Sequence, residues 1–260
     1  MSRRFLSLVQ VQGDRAVQSL QLRDLPDPWD PLALLQSLEL EGVDGFVLQD
    51  ASTDLPPPEV LLNLVDRVSR QVFLPLAVGG HLRDLLDAQS LLAAGCDRII
   101  WGDAVVRDPP LLARAANQLG RSRVAVALDV RQDQGIWQVM TRNGRVATGL
   151  DPLELARRCA TLGAGELIVR AVNDQAETVP CPVNLIRVLA GHLPIPLVIC
   201  GVPLAPSQAV DLLTAGQADA LLLDAASHCA QDVAIFKQVA RARGLSVRDP
   251  SGVQGSPAVG

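Results

Sequence analysis

The segment Asp30-Pro31-Leu32-Ala33-Leu34 returns as Asp151-Pro152-Leu153-Glu154-Leu155, a shift of 121 residues along a chain of 260. The same shift carries Leu74-Pro75-Leu76 onto Ile195-Pro196-Leu197, Gly80 onto Gly201, Ala94-Gly95 onto Ala215-Gly216, and Asp103-Ala104 onto Asp224-Ala225. A constant offset over separate landmarks marks an internal repeat. Each copy holds four short apolar runs suited to buried strands: Phe5–Val11, Phe46–Gln49, Leu74–Val78 and Arg98–Trp101 in the first, then Val124–Leu128, Leu167–Val169, Leu197–Cys200 and Ala220–Leu223. Between them lie apolar residues at helical spacing, such as Leu85, Ala88 and Leu92, with Gly95, Gly120, Gly163 and Gly216 closing several segments. Strict βα alternation favours a parallel sheet, and four βα pairs present twice close an eight-stranded (βα)8 barrel. The expectation is one α/β barrel domain over residues 1–248, made of two similar half-barrels at about 1–120 and 121–248, with an open doubly wound sheet as the alternative.

The rest of the chain is consistent with that size. A hydrophobic content of 48% supplies a large core, and 28 acidic against 23 basic residues leave no basic run to attract nucleic acid. Lys237 is the only lysine, so anion-binding groups must be arginine or backbone. Cys96, Cys159, Cys181, Cys200 and Cys229 lack CxxC spacing and read as reduced thiols. No His/Cys/Asp cluster has metal-ligand spacing, so neither metal nor cofactor is expected. The N-terminus is too short and polar for a signal peptide and no apolar run reaches membrane length, which points to a cytoplasmic protein without membrane contact. Residues 249–260, rich in Pro, Gly and Ser, read as a disordered tail. Ile136–Met140 followed by Asn143-Gly144 reads as a hairpin inserted after the fifth strand.

A barrel of this kind keeps its active site at the C-terminal ends of its strands. The polar residues and glycines there are Gln10, Asp50, Gly79-Gly80-His81, Gly102-Asp103, Asp129, Asn173-Asp174, Gly201 and Asp224. Among them, the run Ala127-Leu128-Asp129, Gly135-Ile136-Trp137-Gln138-Val139, Gly144-Arg145, Thr148-Gly149-Leu150-Asp151 and Leu162-Gly163-Ala164-Gly165-Glu166-Leu167-Ile168 is the most specific part of the chain. In order and spacing it resembles the cyclase subunit of imidazole glycerol phosphate synthase, a family of two-fold repeated phosphate-binding barrels, and the resemblance covers nearly all of residues 4–248. It implies a lyase that uses ammonia from a glutaminase partner to split a bis-phosphorylated ribonucleotide and close an imidazole ring in histidine biosynthesis.

The resemblance also implies site residues, and several have changed. Its acid–base chemistry needs opposed carboxylates after the first and fifth strands; Asp129 supplies the second, but Gln10 holds the first position and an amide exchanges no proton near neutral pH. The loss of one such group costs about 10²–10⁴ in rate. The phosphate cradles retain Gly79, Gly80, Gly102 and Gly201, but His81 and Val202 replace the following glycines. Asp103 stands where the family has a hydroxyl residue, with Asp224 as its counterpart to within one residue. A carboxylate there repels a phosphate dianion. Gln18 occupies a lysine position of the first loop, and Gln175-Ala176 replaces an Asp-Gly pair. At the opposite end, Arg4, Arg98 and Glu166 match the family's charged ring, Asp97 lies at the docking position, and Gly45 replaces a Glu.

Blander readings stand beside these. Asp129 could only hold a loop amide, and His81, a weak candidate for an anion ligand or a base, could simply be solvated. Trp137 either caps a ligand or braces its hairpin. Asp103 and Asp224 either bind a cation or basic ligand or, the favoured reading, cap the helices that follow. The ring of Arg4, Arg98 and Glu166 could be structural salt-bridging alone. Two functions are therefore expected: a divergent cyclase whose activity is impaired or lost, or a non-catalytic regulatory barrel that docks a glutaminase-like or sister-barrel protein through Arg4, Asp97, Arg98 and Glu166.

Overall fold

The computed structural model describes residues 2–17, 30–52, 58–80, 82–201, 205–225 and 233–248. The first half runs β1 (Arg4–Gln12), β2 (Arg15–Ala16), α1 (Pro31–Leu40), β3 (Phe46–Asp50), α2 (Pro58–Ser69), β4 (Leu76–Gly79), α3 (Leu85–Ala93), β5 (Arg98–Trp101), α4 (Asp103–Arg107) and α5 (Pro109–Leu119). The second runs β6 (Val124–Asp133), β7 (Ile136–Thr141), β8 (Val146–Ala147), α6 (Pro152–Leu162), β9 (Glu166–Ala171), α7 (Val183–Ala190), β10 (Leu197–Gly201), α8 (Pro206–Thr214), β11 (Ala220–Asp224) and α9 (Val233–Ala242). Parallel pairing in the order β5-β4-β3-β1-β11-β10-β9-β6, closed by β5 with β6, makes an eight-stranded barrel. The repeated Asp-Pro-Leu stretch begins a helix in each half: proline opens α1 and α6, where a missing N–H is harmless. Asp30 accepts a hydrogen bond from the Leu32 N–H and Asp151 one from the Glu154 N–H, capping the helix starts.

Alternation along each strand divides the core in two. One face, with Phe5, Phe46, Trp101 and Leu167, packs under the helices; the other, with Leu6, Leu8, Val47, Ile100, Ile168 and Leu222, fills the barrel interior. The interior is therefore a packed plug, and function is left to the two open ends. Among the described residues, no helix is long and apolar enough to cross a membrane.

The repeat is also visible in hydrogen bonds. Leu76 donates its N–H to the Asp97 carboxylate and accepts the Asp97 N–H; Leu197 and Asp219 make the same pair of contacts. Leu76 and Leu197 differ by 121 positions but Asp97 and Asp219 by 122. The extra residue lies in the turn Gly216-Gln217-Ala218, where Gln217 takes φ +65. Register agrees, since Ala77 pairs with Arg98 while Val198 pairs with Ala220. The counterpart of Asp224 is thus Gly102, not Asp103. A one-residue slip turns a strand side chain to the other face, so the two acids are not equivalent.

The strand after Gly120 is longer than its apolar run. β6 continues to Asp133, turns through Gln134 (φ +47) and Gly135 (φ +85), and pairs antiparallel with β7. Asn143-Gly144 closes a second, wider turn, from β7 into β8. The insertion holds two turns where one was expected. The signal missed was a two-residue loop ending in glycine between strand-like runs. Residues 249–260, expected to be disordered, lie outside the described residues, as do His81, Gln18, Val202 and Cys229.

Candidate active site at the barrel mouth

Strand alternation brings Gln10 and Gln49 to the inner face of β1 and β3 at the C-terminal end, in register with each other. On the inner face of β6, β9 and β11 the same layer carries Asp129, Arg170 and Asp224, beyond the plug residues Ala127, Ile168 and Leu222. Asp129 and Arg170 are register partners and form a bidentate ion pair, with Nε to Oδ1 at 2.7 Å and Nη2 to Oδ2 at 2.6 Å. Both side chains are largely withdrawn from water. Burial works against the Arg170 charge, but Asp129, with Asp224 adding to the field, raises its pKa above the ordinary guanidinium value. Arg170 escapes sequence reading because an arginine inside an apolar run looks like a strand-end surface residue.

The bidentate pair changes what Asp129 can do. Each Asp129 oxygen accepts one guanidinium N–H, which leaves fewer of its lone pairs for any other partner. Across the barrel Gln10 offers no second acid. Asp224 is buried on the inner face of β11 and reinforces the negative side of the layer.

Asp103 does not act as the expected helix cap. It is the first residue of α4, whose N-cap is Gly102, and its Oδ2 accepts the Arg142 N–H at 2.7 Å. It fastens the inserted hairpin to the end of β5. On the hairpin's other side, a Cβ at Gly144 would meet Val172 at 3.1 Å and Ala176 at 3.4 Å, so the turn sits against the loop after β9. That loop keeps a glycine-like backbone at Ala176, with φ +63. Asn173 stabilises it by accepting the N–H groups of Gln175 and Glu177. Trp137 is half-buried against the helix-side core, which favours bracing.

The glycines divide as well. A Cβ at Gly80 (φ +101) would lie 2.3 Å from the Asp50 carbonyl, and one at Gly79 would lie 3.1 Å from Ile100. Packing and backbone conformation require glycine at Gly80 whether or not a ligand binds, and Gly79 is tightly packed. Among the described residues, a Cβ at Gly102 or Gly201 would meet nothing within 4 Å, so of these four glycines the latter two are not set by such a contact.

At the N-terminal end, Glu166 is buried and gives one oxygen to Arg4 at 2.5 Å and the other to Arg98. Arg98 also donates from Nε to the Ser122 carbonyl. Asp97 is occupied in holding Leu76, as described above. At Gly45 a Cβ would lie 3.1 Å from the Pro75 carbonyl and 3.2 Å from Leu6, so a larger residue there needs its neighbours to give by a few tenths of an ångström. A cavity of about 390 Å³ opens beside this end, lined by Arg3, Leu193, Ile195, Leu213, Asp219 and Leu245, away from the mouth. Among the described residues no group of His, Cys, Asp and Glu could hold a metal.

The family described as "Histidine biosynthesis protein" matches residues 7–229, most of the barrel. The chain belongs to that family. Among histidine biosynthesis proteins it is similar to "Imidazole glycerol phosphate synthase subunit HisF" from two strains of Dehalococcoides mccartyi, BAV1 and CBDB1. Each is 33% identical over 249 residues, which is 95% of this chain and 98% of the relative. The protein of the same name from Thermococcus gammatolerans is 27% identical over 248 residues, with the same coverage. The expected barrel and its place among the HisF-like histidine biosynthesis proteins are therefore established.

Proposed function

We propose that this histidine biosynthesis protein is a cytoplasmic HisF-like barrel whose ring-closing cyclase activity is impaired or lost. The observation that carries this reading is the bidentate Asp129–Arg170 pair facing a glutamine at position 10. The reaction implied by the family needs a proton donor and a proton acceptor on opposite sides of the substrate. Here one is an amide and the other is committed to a guanidinium. The decisive assay is ammonia-driven turnover of the bis-phosphorylated ribonucleotide by the wild-type chain, Gln10→Asp and Gln10→Asp/Arg170→Ala. Wild-type turnover at least about 10²-fold below that of a relative with both carboxylates is expected. Gln10→Asp alone leaves it there, because Asp129 stays paired and the phosphate positions stay altered. Wild-type turnover equal to the relative's would end this reading.

A second reading, a barrel kept for docking a glutaminase-like or sister-barrel protein, has its own support at the N-terminal end. Leu40, at the end of α1, and Phe73, just before β4, are 88% and 86% exposed. They enter adjacent strands beside the ring of Arg4, Arg98 and Glu166 and the Asp97 hook. Two large apolar side chains on neighbouring turns suit a protein contact. Co-sedimentation with a purified glutaminase subunit that Phe73→Asp abolishes would favour this reading, and no co-sedimentation would remove it.

A further inference from the structure

The inward arginines at the mouth are not equally engaged. Arg170 commits two N–H groups to Asp129. Arg131 lies two residues beyond Asp129 on the same face of β6, and its side chain is 19% exposed. Its Nε is buried and has no hydrogen-bond partner among the described residues. The nearest carboxylate oxygen, Oδ1 of Asp174, is 3.7 Å away on a side chain that is 84% exposed, beyond a formed hydrogen bond. Natural proteins rarely leave a donor of this kind unmet, because desolvating it without a partner is costly. At the neighbouring strand end, a Cβ at Gly102 would meet nothing within 4 Å among the described residues.

We propose that Arg131, with the remaining N–H groups of Arg170, binds a single oxyanion, a phosphoryl or carboxylate group carried by a small molecule. The proposal rests on the reading above that the backbone phosphate positions no longer serve a bis-phosphorylated substrate. The mouth's side-chain charges select the same class. Among the described residues Arg170 has already given two donors to Asp129, so the donors that remain on Arg170 and Arg131 suit one oxyanion rather than two phosphate dianions. One oxyanion meets the unused donors of a partly desolvated guanidinium, where charge-assisted hydrogen bonds are strongest. The Asp174 carboxylate is largely exposed and forms no hydrogen bond with the Arg131 Nε.

The test is calorimetric titration of the full chain with inorganic phosphate and, separately, with acetate. Phosphate binds the wild-type chain, Arg131→Ala weakens it by about tenfold or more, and Arg70→Ala, an exposed control, leaves it unchanged. Arg131→Lys keeps the charge but lacks the fork, and also weakens binding. It decides the matter should the alanine variant not fold. Acetate that displaces phosphate extends the site to carboxylates, and acetate without effect narrows it to phosphoryl groups. Absence of wild-type phosphate binding, or equal binding by Arg131→Ala or by a folded Arg131→Lys, overturns the inference. Turnover of the bis-phosphorylated ribonucleotide is read separately, so failure of the impaired-cyclase reading is distinguishable from failure of this one.

Discussion

At the scale of single residues, placement decides what a charged group does. Asp129 was legible from its neighbours as a candidate base, but its partner Arg170 was not, because pairing across parallel strands is set by register and not by sequence distance. Lys237 makes the same point. It looks like a surface residue in sequence, yet it is fully buried in α9 and its Nζ lies 2.6 Å from Asp44, whose other oxygen accepts the Phe5 N–H. Burial lowers the Lys237 pKa, and Asp44 opposes that shift. Removing one member of such a pair leaves an uncompensated charge. Asp44→Ala should therefore destabilise the fold by about 3–5 kcal/mol, and Asp44→Ala/Lys237→Met should recover most of the loss. Urea denaturation checks this, and a loss under about 1 kcal/mol for the single variant would show that the pair is not an isolated buried unit.

At the scale of elements, the sequence identified all eight barrel strands because fully buried parallel strands are short continuous apolar runs. It misread the end of β6, since Arg131-Gln132-Asp133 is polar and only the hairpin partner makes it a strand. It matched Asp103 with Asp224 only to within one residue, because one inserted residue at Gln217 is invisible to a constant offset until pairing is known. With that corrected, Asp103 becomes a latch between β5 and the inserted hairpin. Asp103→Ala should cost about 1 kcal/mol in stability. Amide exchange across residues 141–145 should accelerate while the barrel strands stay protected. Unchanged exchange in that turn would show that packing against Val172 and Ala176 holds it alone.

At the scale of the whole molecule, the two ends of the barrel differ in kind. The N-terminal end keeps a closed network of Arg4, Glu166 and Arg98 with exposed Leu40 and Phe73 nearby, whereas at the mouth Asp129 pairs with Arg170 and the Arg131 Nε has no hydrogen-bond partner among the described residues. The repeat, the barrel and the family were legible because they rest on many positions; the state of the mouth rests on a few side chains whose partners come from other strands. Both halves also bury thiols, which burial pushes up to about 12 at Cys96, Cys181 and Cys200 and about 11 at Cys159. A thiol whose folded pKa is raised ionises first in the unfolded chain. Stability should hold below about pH 8.5 and fall as pH rises towards 11–12, on the order of 1 kcal/mol per thiol per pH unit. Lys237 opposes this, since its lowered pKa makes stability rise through the alkaline range, but four thiols outweigh one lysine. Urea midpoints at pH 8 and pH 10 test the sign, and equal midpoints would contradict it. The central claim, that this mouth no longer serves the family's reaction, is tested most directly by calorimetric titration of the intact chain with the bis-phosphorylated ribonucleotide. No micromolar binding is predicted, and micromolar binding followed by turnover with ammonia would contradict the account.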